Sequence, residues 1–112
     1  MATFEIYKSK GKSQKFFFRL RANNGQIVLK SQGYMQKSGA QRGVESVRKN
    51  VAREGGIERF EGKNGKHYFR VVATNKQVVA SSEGYESARG AAAGMTSVKK
   101  NASAATVEDT TA

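Results

Sequence analysis

Cysteine is absent from this sequence of 112 residues, and histidine and aspartate occur once each, as His67 and Asp109. Without cysteine, the chain has no disulfide framework, no thiolate metal ligand and no thiol nucleophile. His67 begins a predicted strand at the place that Phe16 takes earlier in the chain, which favours a structural histidine over a catalytic base. The sequence therefore predicts no catalytic, cofactor-binding or metal-binding residues, and we expect the protein not to be an enzyme.

Long apolar segments are also missing. No run approaches the roughly 18 apolar residues that a membrane-spanning helix needs. The start, MATFEIYKSK, has no charged region followed by an apolar one, so we expect no signal peptide. These features predict a soluble cytoplasmic protein without a membrane partner.

Acidic residues are scarce, with nine Asp or Glu against twenty Lys or Arg and a formal net charge of +11. Residues 1–53 carry twelve basic side chains against Glu5 and Glu45, which leaves +10 for that half. Residues 54–102 carry +3, and residues 103–112 carry −2. Basic proteins bind polyanions because contacts with phosphates release counterions. Nucleic acid is therefore one candidate partner, and the first half is the candidate region.

The strongest pattern is a duplication with a period of 51 residues, which runs without a gap. It predicts one domain over residues 1–112, with repeats at 4–53 and 57–102 and a mostly irregular tail at 103–112. A unit of about 50 residues buries too little surface to be comfortably stable alone, so the repeats should share a core. The identical pairs include Phe18/Phe69, Arg19/Arg70, Ala22/Ala73, Gly33/Gly84, Tyr34/Tyr85, Gly43/Gly94, Val47/Val98 and Asn50/Asn101.

Alternating apolar residues predict three strands in each repeat. Asn24-Gly25 is typical of a two-residue hairpin turn, which would place Leu20 opposite Leu29 and Ala22 opposite Ile27. The predicted strands are Phe4–Lys8, Phe16–Ala22 and Ile27–Ser31 in the first repeat, and Ile57–Glu61, His67–Ala73 and Val78–Ser81 in the second.

A helix follows the third strand of each repeat. Ser38 or Gly39 is the predicted start of the first helix and Ser87 of the second. The repeated Asn50 and Asn101 are interpreted as C-terminal caps. The apolar stripes that predict the helices are Ala40, Val44, Val47 and Val51, and Ala91, Met95, Val98 and Ala102.

Two pairs of glycines recur at fixed places. Gly43 and Gly94 lie beside the helical stripes, where glycine costs about 1 kcal/mol against alanine, so we expect their backbone to pack closely against another element. Gly33-Tyr34 and Gly84-Tyr85 have two interpretations. They are connectors, in which Gly takes a special φ and Tyr packs over the sheet edge, or they hold a phosphate before the following helix. The lack of Gly-rich neighbours favours the connector.

The repeated segments also resemble a known family. FEIYKSK, FRLRANNGQIVLKSQGY and GVESVRKN in the first repeat, with YFRVVATNKQVVASSEGY and MTSVKKNA in the second, are similar to the YegP-like family of small bacterial proteins of unknown function. The likeness covers residues 4–102 and extends to ATVEDTT. It implies units, in tandem or in a dimer, that form one antiparallel sheet and exchange their helices. It implies no activity or cofactor, and it departs from this chain at Lys76, where the family usually has glycine or a similar residue.

The polar face of the predicted sheet is the sharpest functional candidate. Its aromatic and basic side chains resemble, in their chemistry, the platforms on which single-stranded nucleic acids stack. Lys8, Lys10, Lys12 and Lys15 would extend its basic edge. Alternatively, the aromatics pack against a helix or a partner subunit and the lysines blunt the sheet edge. The candidate residues are Phe17, Arg19, Arg21, Lys30, Tyr68 and Arg70.

The sequence thus predicts an α+β fold of two tandem β-β-β-α repeats that form one antiparallel sheet with the helices packed on it. It leaves the biochemical function unknown. A non-enzymatic interaction or accessory module is the leading hypothesis, and weak, salt-sensitive nucleic-acid binding through repeat one is the alternative. Both a monomer and a homodimer are compatible with two repeats.

Overall fold

The computed structural model describes residues 2–9 and 15–111. Lys10 and Lys12, which were predicted to extend the basic edge, lie outside these ranges. The strands of the first repeat are β1 (Thr3–Lys8), β2 (Phe16–Arg21) and β3 (Ile27–Ser31), followed by helix α1 (Lys37–Val51). The second repeat has β4 (Ile57–Glu61), β5 (His67–Val72), β6 (Val78–Ser81) and helix α2 (Ala88–Ala102), and β7 (Thr106–Asp109) ends the chain.

All strands of the described residues lie in one sheet with the order β4-β5-β6-β3-β2-β1-β7. The repeats meet at its centre, where β3 and β6 pair antiparallel and Lys30 lies opposite Ser81. The prediction of an α+β fold with one sheet shared by two repeats is confirmed. The sheet is mixed rather than wholly antiparallel, because β7 runs parallel to β1.

Strand β7 is an element that the prediction of a mostly irregular tail over residues 103–112 did not include. Thr106–Asp109 pairs with Thr3–Ile6. Arg48 Nη2 donates to the carbonyl of Ala105 at 2.7 Å, and Thr110 Oγ1 donates to the carbonyl of Ile6 at 2.8 Å. Four residues without a period of their own give no local signal for a strand. The strand forms because β1, about 100 positions earlier in the chain, offers it an edge.

Both helices pack on the same face of the sheet. Their predicted apolar stripes are buried except Met95, which is partly buried against the core. Between helices and sheet lie the fully buried aromatic rings Phe4, Phe18 and Phe69, with Leu20, Leu29 and Val71 beside them. The helical periodicity therefore predicted the core side of each helix correctly.

The helices are not exchanged between the repeats, contrary to what the family resemblance implied. Helix α1 packs on β1 and β2 of its own repeat, and α2 packs on β5 of its own repeat. Tyr34 forms a bridge with Phe16, which ties the start of α1 to β2 and leaves only a short connector. Helix α1 also reaches β5 and β6, so the repeats share a core across the centre. The element that crosses to the other repeat is β7.

The hairpin turns are one residue longer than predicted. Ala22 N donates to the carbonyl of Gln26 and Gly25 N to the carbonyl of Ala22, which closes a three-residue loop. Gly25 has φ +85°, so the turn ends on a left-handed residue and a register shift follows. Leu20 lies opposite Leu29 as predicted, but Ile27 lies opposite Arg21 instead of Ala22.

The helix ends differ between the repeats. Ser87 caps α2 as predicted, because its Oγ accepts from Gly90 N at 3.0 Å. Helix α1 begins after Gln36, which makes no capping bond from its side chain, so the predicted starts at Ser38 or Gly39 are wrong. Asn50 is not a C-terminal cap: it lies within α1, and its Nδ2 donates to the carbonyl of Ser46 at 2.8 Å.

Candidate functional site

The helices cover one face of the sheet and leave the other face open. Along β2 the side chains alternate, so that Phe18 and Leu20 are fully buried beneath α1 while Phe17, Arg19 and Arg21 lie on the other side. Cross-strand neighbours extend this second side over the whole sheet. We call this side the open face. It brings together the sequence-predicted residues Phe17, Arg19, Arg21, Lys30, Tyr68 and Arg70.

In repeat one, a cluster of four side chains forms on the open face. The rings of Tyr7 and Phe17 stack with their centroids 5.6 Å apart. Arg19 places its Cζ 4.6 Å from the centroid of Tyr7, and its Nε donates to Glu5 Oε1 at 2.7 Å. The guanidinium is thus held between an aromatic ring and a carboxylate.

Repeat two forms the same cluster at the other end of the open face. Phe60 stacks on Tyr68 at 5.4 Å, Arg70 lies 4.9 Å from the Phe60 centroid, and Arg70 Nε donates to Glu58 at 3.2 Å. Phe17 and Tyr68 are among the sequence-predicted residues, but their stacking partners Tyr7 and Phe60 are not. The signal was present, because Tyr7 aligns with Phe60 when the first hairpin is allowed two additional residues.

The charges of the open face are largely balanced. Glu5 accepts from Arg21 as well as Arg19, and Lys30 lies 3.0 Å from Glu83. With Arg70 and Glu58, four cations of the face are matched by three carboxylates. Burial acts to raise the pKa of Glu5, but hydrogen bonds from Arg19 and Arg21 outweigh it and hold that pKa below its usual value. The carboxylate therefore stays ionised, and the candidate residues form no strongly positive surface.

Gly33 and Gly84 contribute to the clusters by being small. A Cβ on Gly33 would lie 2.8 Å from Lys15 Cδ and 3.2 Å from Phe17 Cζ. A Cβ on Gly84 would lie 2.9 Å from Lys66 Cδ and 3.1 Å from the Tyr68 hydroxyl. Neither glycine has a positive φ, so the predicted special backbone conformation is wrong. The glycines are needed because a ring and a lysine stem lie directly over their backbone.

The tyrosines that follow these glycines point to the helix side. Tyr34 stacks on Phe18 at 6.3 Å and Tyr85 on Phe69 at 5.9 Å. A Cβ on Gly43 would lie 2.6 Å from the Tyr34 hydroxyl, and one on Gly94 would lie 2.5 Å from that of Tyr85. Burial raises the pKa of both phenols. Tyr34 and Tyr85 therefore lock each helix onto its sheet, and they do not line the open face.

His67 lies at the start of β5, where it forms a bridge with Tyr85. It lines a cavity of about 240 Å³ between β4, β5 and the start of α2, together with Arg59, Glu61 and Ala88. Over residues 2–9 and 15–111, no three His, Cys, Asp or Glu side chains come close enough to hold a metal ion. In those same ranges no helix is long and apolar enough to cross a membrane.

Three kinds of comparison place these features in context. The family described as "Domain of unknown function (DUF1508)" matches the chain twice, over residues 11–58 and 63–109. The chain is 40% identical to the UPF0339 protein YegP of Escherichia coli K12 over 108 residues, which is 96% of each chain. It is 46% identical over 100 residues to a UPF0339 protein in the ptx operon 5' region of Stutzerimonas stutzeri, covering 89% of this chain and 88% of that one.

Two solution NMR structures share the fold. The UPF0339 protein of Shewanella oneidensis superposes with a TM-score of 0.90 at 36% identity, covering 98% of this chain and 92% of that one. YegP from Escherichia coli, titled a protein of unknown function, gives 0.90 at 39% identity, with coverage of 98% and 93%. The tandem repeat and its sheet are therefore common to this chain and these relatives.

Proposed function

The chain belongs to the DUF1508 family, whose function is unknown, and we propose that it is a non-enzymatic interaction module that binds a protein partner through its open face. It works in the cytoplasm. It is a monomer, because its two repeats already share one sheet and one core. The residues that carry the activity are those of the two clusters, one in each repeat.

The single observation behind this proposal is the duplicated cluster of stacked rings, arginine and glutamate. Tyr, Phe and Arg are enriched in protein interfaces, and Tyr and Arg are common among the residues that dominate the binding energy. All three offer large contact areas, and Tyr and Arg also carry a polar group. The arginines are ordered by their carboxylates and rings, so little side-chain entropy is lost when a partner docks. Arg19 is 31% exposed and Arg70 39%, which leaves part of each guanidinium accessible.

A protein partner suits this face better than a nucleic acid. A stacking platform needs a free aromatic face for each base. Here Phe17 lies between Tyr7 and the backbone of Gly33, and Arg19 covers Tyr7. The balance between cations and carboxylates also reduces the attraction for phosphate.

An enzymatic role has little support among the described residues. General acid–base catalysis needs a positioned group with a suitably shifted pKa in a pocket. The groups with shifted pKa are Glu5, Asp109 and the two half-buried tyrosines Tyr34 and Tyr85, and each is engaged in a structural contact. No chemistry on a bound substrate is therefore part of the proposal.

Nucleic-acid binding is kept as a second candidate because of the charge of the first half, +10 over residues 1–53. Arg42 and Lys49 lie on the exposed side of α1, away from the open face. Phosphates would meet that side of the molecule first, because the cations of the open face are already matched by glutamates.

The test uses the purified chain as bait in an extract of the source organism, with and without nuclease. Four baits are compared. They are the wild type, the open-face variants Phe17→Ala and Tyr68→Ala, and the control Lys49→Ala on the exposed side of α1. We expect a defined protein that survives nuclease, is retained by the control and is depleted at least about tenfold by either open-face variant, the loss typical of an interface hot spot. Circular dichroism of each bait checks that it is folded.

Fluorescence polarisation with single-stranded RNA and duplex DNA at low and high salt tests the second candidate. Binding that falls steeply with salt and weakens in Lys49→Ala, but not in Phe17→Ala, would support nucleic acid and contradict the open-face proposal. Retention of the same proteins by all baits would also contradict it.

A further inference from the structure

The two repeats differ at the outer edges of their first strands, β1 and β4. β1 and β4 are equivalent strands, since Glu5 lies opposite Arg19 and Glu58 lies opposite Arg70. The outer edge of β1 holds β7, whereas the outer edge of β4 has no neighbouring strand among the described residues. The edge of β4 is thus the counterpart of an edge that an extended segment already occupies.

The occupied edge indicates which chemistry fits. In the parallel pair, Val107 lies beside Phe4 and Asp109 beside Ile6. A cation at the start of α1 holds the carboxylate, with Lys37 Nζ 2.6 Å from Asp109 Oδ2. The segment therefore offers an apolar residue and, two positions later, a carboxylate that meets one cation.

The edge of β4 has the same components in a different arrangement. Ile57 and Arg59 take the places of Phe4 and Ile6, and Ala88 takes the place of Lys37. The cation is thus supplied by the strand rather than by the helix. The space between Arg59, His67 and Ala88 is a cavity of about 240 Å³. In repeat one, Asp109 lies beside the counterparts of Arg59 and Ala88, which are Ile6 and Lys37.

The backbone of β4 is oriented to pair. Val72 N donates to the carbonyl of Gly56, so the backbone N–H and C=O groups of Gly56, Glu58 and Phe60 point toward β5. Because backbone groups alternate along a strand, Ile57 and Arg59 direct theirs outward. In β1 the carbonyl of Ile6 accepts from Thr110 N at 2.9 Å in the equivalent direction.

We propose that the edge of β4 binds an extended segment of a partner protein as a parallel eighth strand. The segment places an apolar side chain beside Ile57 and, two residues later, a carboxylate beside Arg59. Strand addition of this kind takes its affinity from main-chain hydrogen bonds and its specificity from alternate side chains. Glu61 also lines the cavity and disfavours further acidic residues, so the motif carries one carboxylate there. Phe60 and Tyr68 of the repeat-two cluster also line this cavity, so the site adjoins that end of the open face. It does not involve the repeat-one cluster.

The probe is a peptide with blocked ends and the sequence of residues 104–111, AATVEDTT, which already pairs with the equivalent edge. It is titrated into the uniformly ¹⁵N-labelled full chain, and backbone amide shifts are recorded. The control peptide has Asn in place of the aspartate. We expect saturable shifts at Ile57–Glu61 and along the start of α2, and weaker binding of the control peptide.

Two variants separate the charge from the edge. Arg59→Gln keeps the backbone groups and weakens binding about two- to fivefold, the range for one exposed ion pair. Arg59→Pro removes an outward N–H at a place where an edge strand tolerates proline, and it abolishes saturation. The amide spectrum outside β4 reports whether each variant is folded. Phe17→Ala on the open face should bind the peptide like the wild type.

Three results would overturn the proposal. One is the absence of shifts at β4 with millimolar peptide. Another is shifts confined to β1 and β7, which would mean that the peptide only displaces the chain's own tail. The last is a dimer in light scattering whose β4 amides are protected from exchange, since the occupant would then be a second copy of this chain.

Discussion

Replacing Lys76 by glycine should stabilise the protein. Lys76 has φ +72° and is the one residue other than glycine with a positive φ in the described ranges. It ends the turn between β5 and β6, where its N donates to the carbonyl of Ala73 at 2.9 Å. The equivalent positions of the other two described hairpin turns are Gly25 at +85° and Gly65 at +81°.

The expected gain follows from two opposing terms. An L side chain in the left-handed region costs about 1–2 kcal/mol. Glycine also makes the unfolded chain more flexible, which lowers the free energy of unfolding by about 0.4–1 kcal/mol and offsets part of the gain. Packing adds nothing, since a Cβ on Gly25 or Gly65 would meet no atom within 4 Å. The net gain is about 0.5–1 kcal/mol, or about 2–4 °C in Tm for a chain of this size.

The assay is urea unfolding followed by circular dichroism, with the free energy of unfolding compared at equal m. Lys76→Ala is the matched control, because it removes the charge and keeps a Cβ in the left-handed region. We expect no gain from the alanine. If both variants stabilise the protein equally, the effect comes from the charge, and the argument from backbone strain is wrong.

Three further predictions use the same unfolding assay. Gln36→Ser should add about 1 kcal/mol by giving α1 the cap that Ser87 gives α2, and Ser87→Ala should cost about as much. Gly43→Ala and Gly94→Ala should each cost about 1–2 kcal/mol, because the clash with the tyrosine hydroxyl exceeds the gain in helix propensity. Asp109→Asn should destabilise the chain at pH 7 and lose this effect below about pH 4, because hydrogen bonds from Lys37 and Thr111 hold the aspartate pKa well below its usual range.

The sign of the last prediction follows from the depressed pKa. A carboxyl whose pKa is lower in the folded state contributes stability above its unfolded pKa and loses it as the pH falls toward the folded value. A difference between wild type and Asp109→Asn that grows in acid would contradict the pairing with Lys37. For the caps, equal stability of wild type and Gln36→Ser would mean that water satisfies the start of α1. A stabilising Gly43→Ala would mean that Tyr34 moves aside freely.

Much of the fold could be predicted because it is encoded locally and then repeated. Alternation placed Phe18 and Leu20 on the buried side, and the helical stripe placed Val44 and Val47 there. The same alternation and the pairing of neighbouring strands place Glu5 next to Arg19 and Glu58 next to Arg70. The members of the open face were therefore predictable from the 51-residue repeat and from the alternation of side chains along each strand.

The chemical character of the open face was less predictable. Its basic residues were identified, but Glu83, which meets Lys30, comes from the connector after β6 and has no counterpart in the alternation. The stacking of Tyr7 on Phe17 required the exact pairing of β1 with β2 across a hairpin of unmatched length. Charge balance depends on such distant neighbours, so composition alone overstated the basicity of this face.

The sequence by itself determined the repeat, its strands and helices and the side of each that is buried, because period and apolar pattern act over a few residues. Only the tertiary structure decided where Thr106–Asp109 pairs, that each helix packs mainly on its own repeat, and that Gly33 and Gly84 are needed for space rather than for φ. These features depend on contacts between residues far apart in the chain. A short strand such as β7 is stable only where an edge and a cation such as Lys37 are already in place, and neither can be read from its own residues.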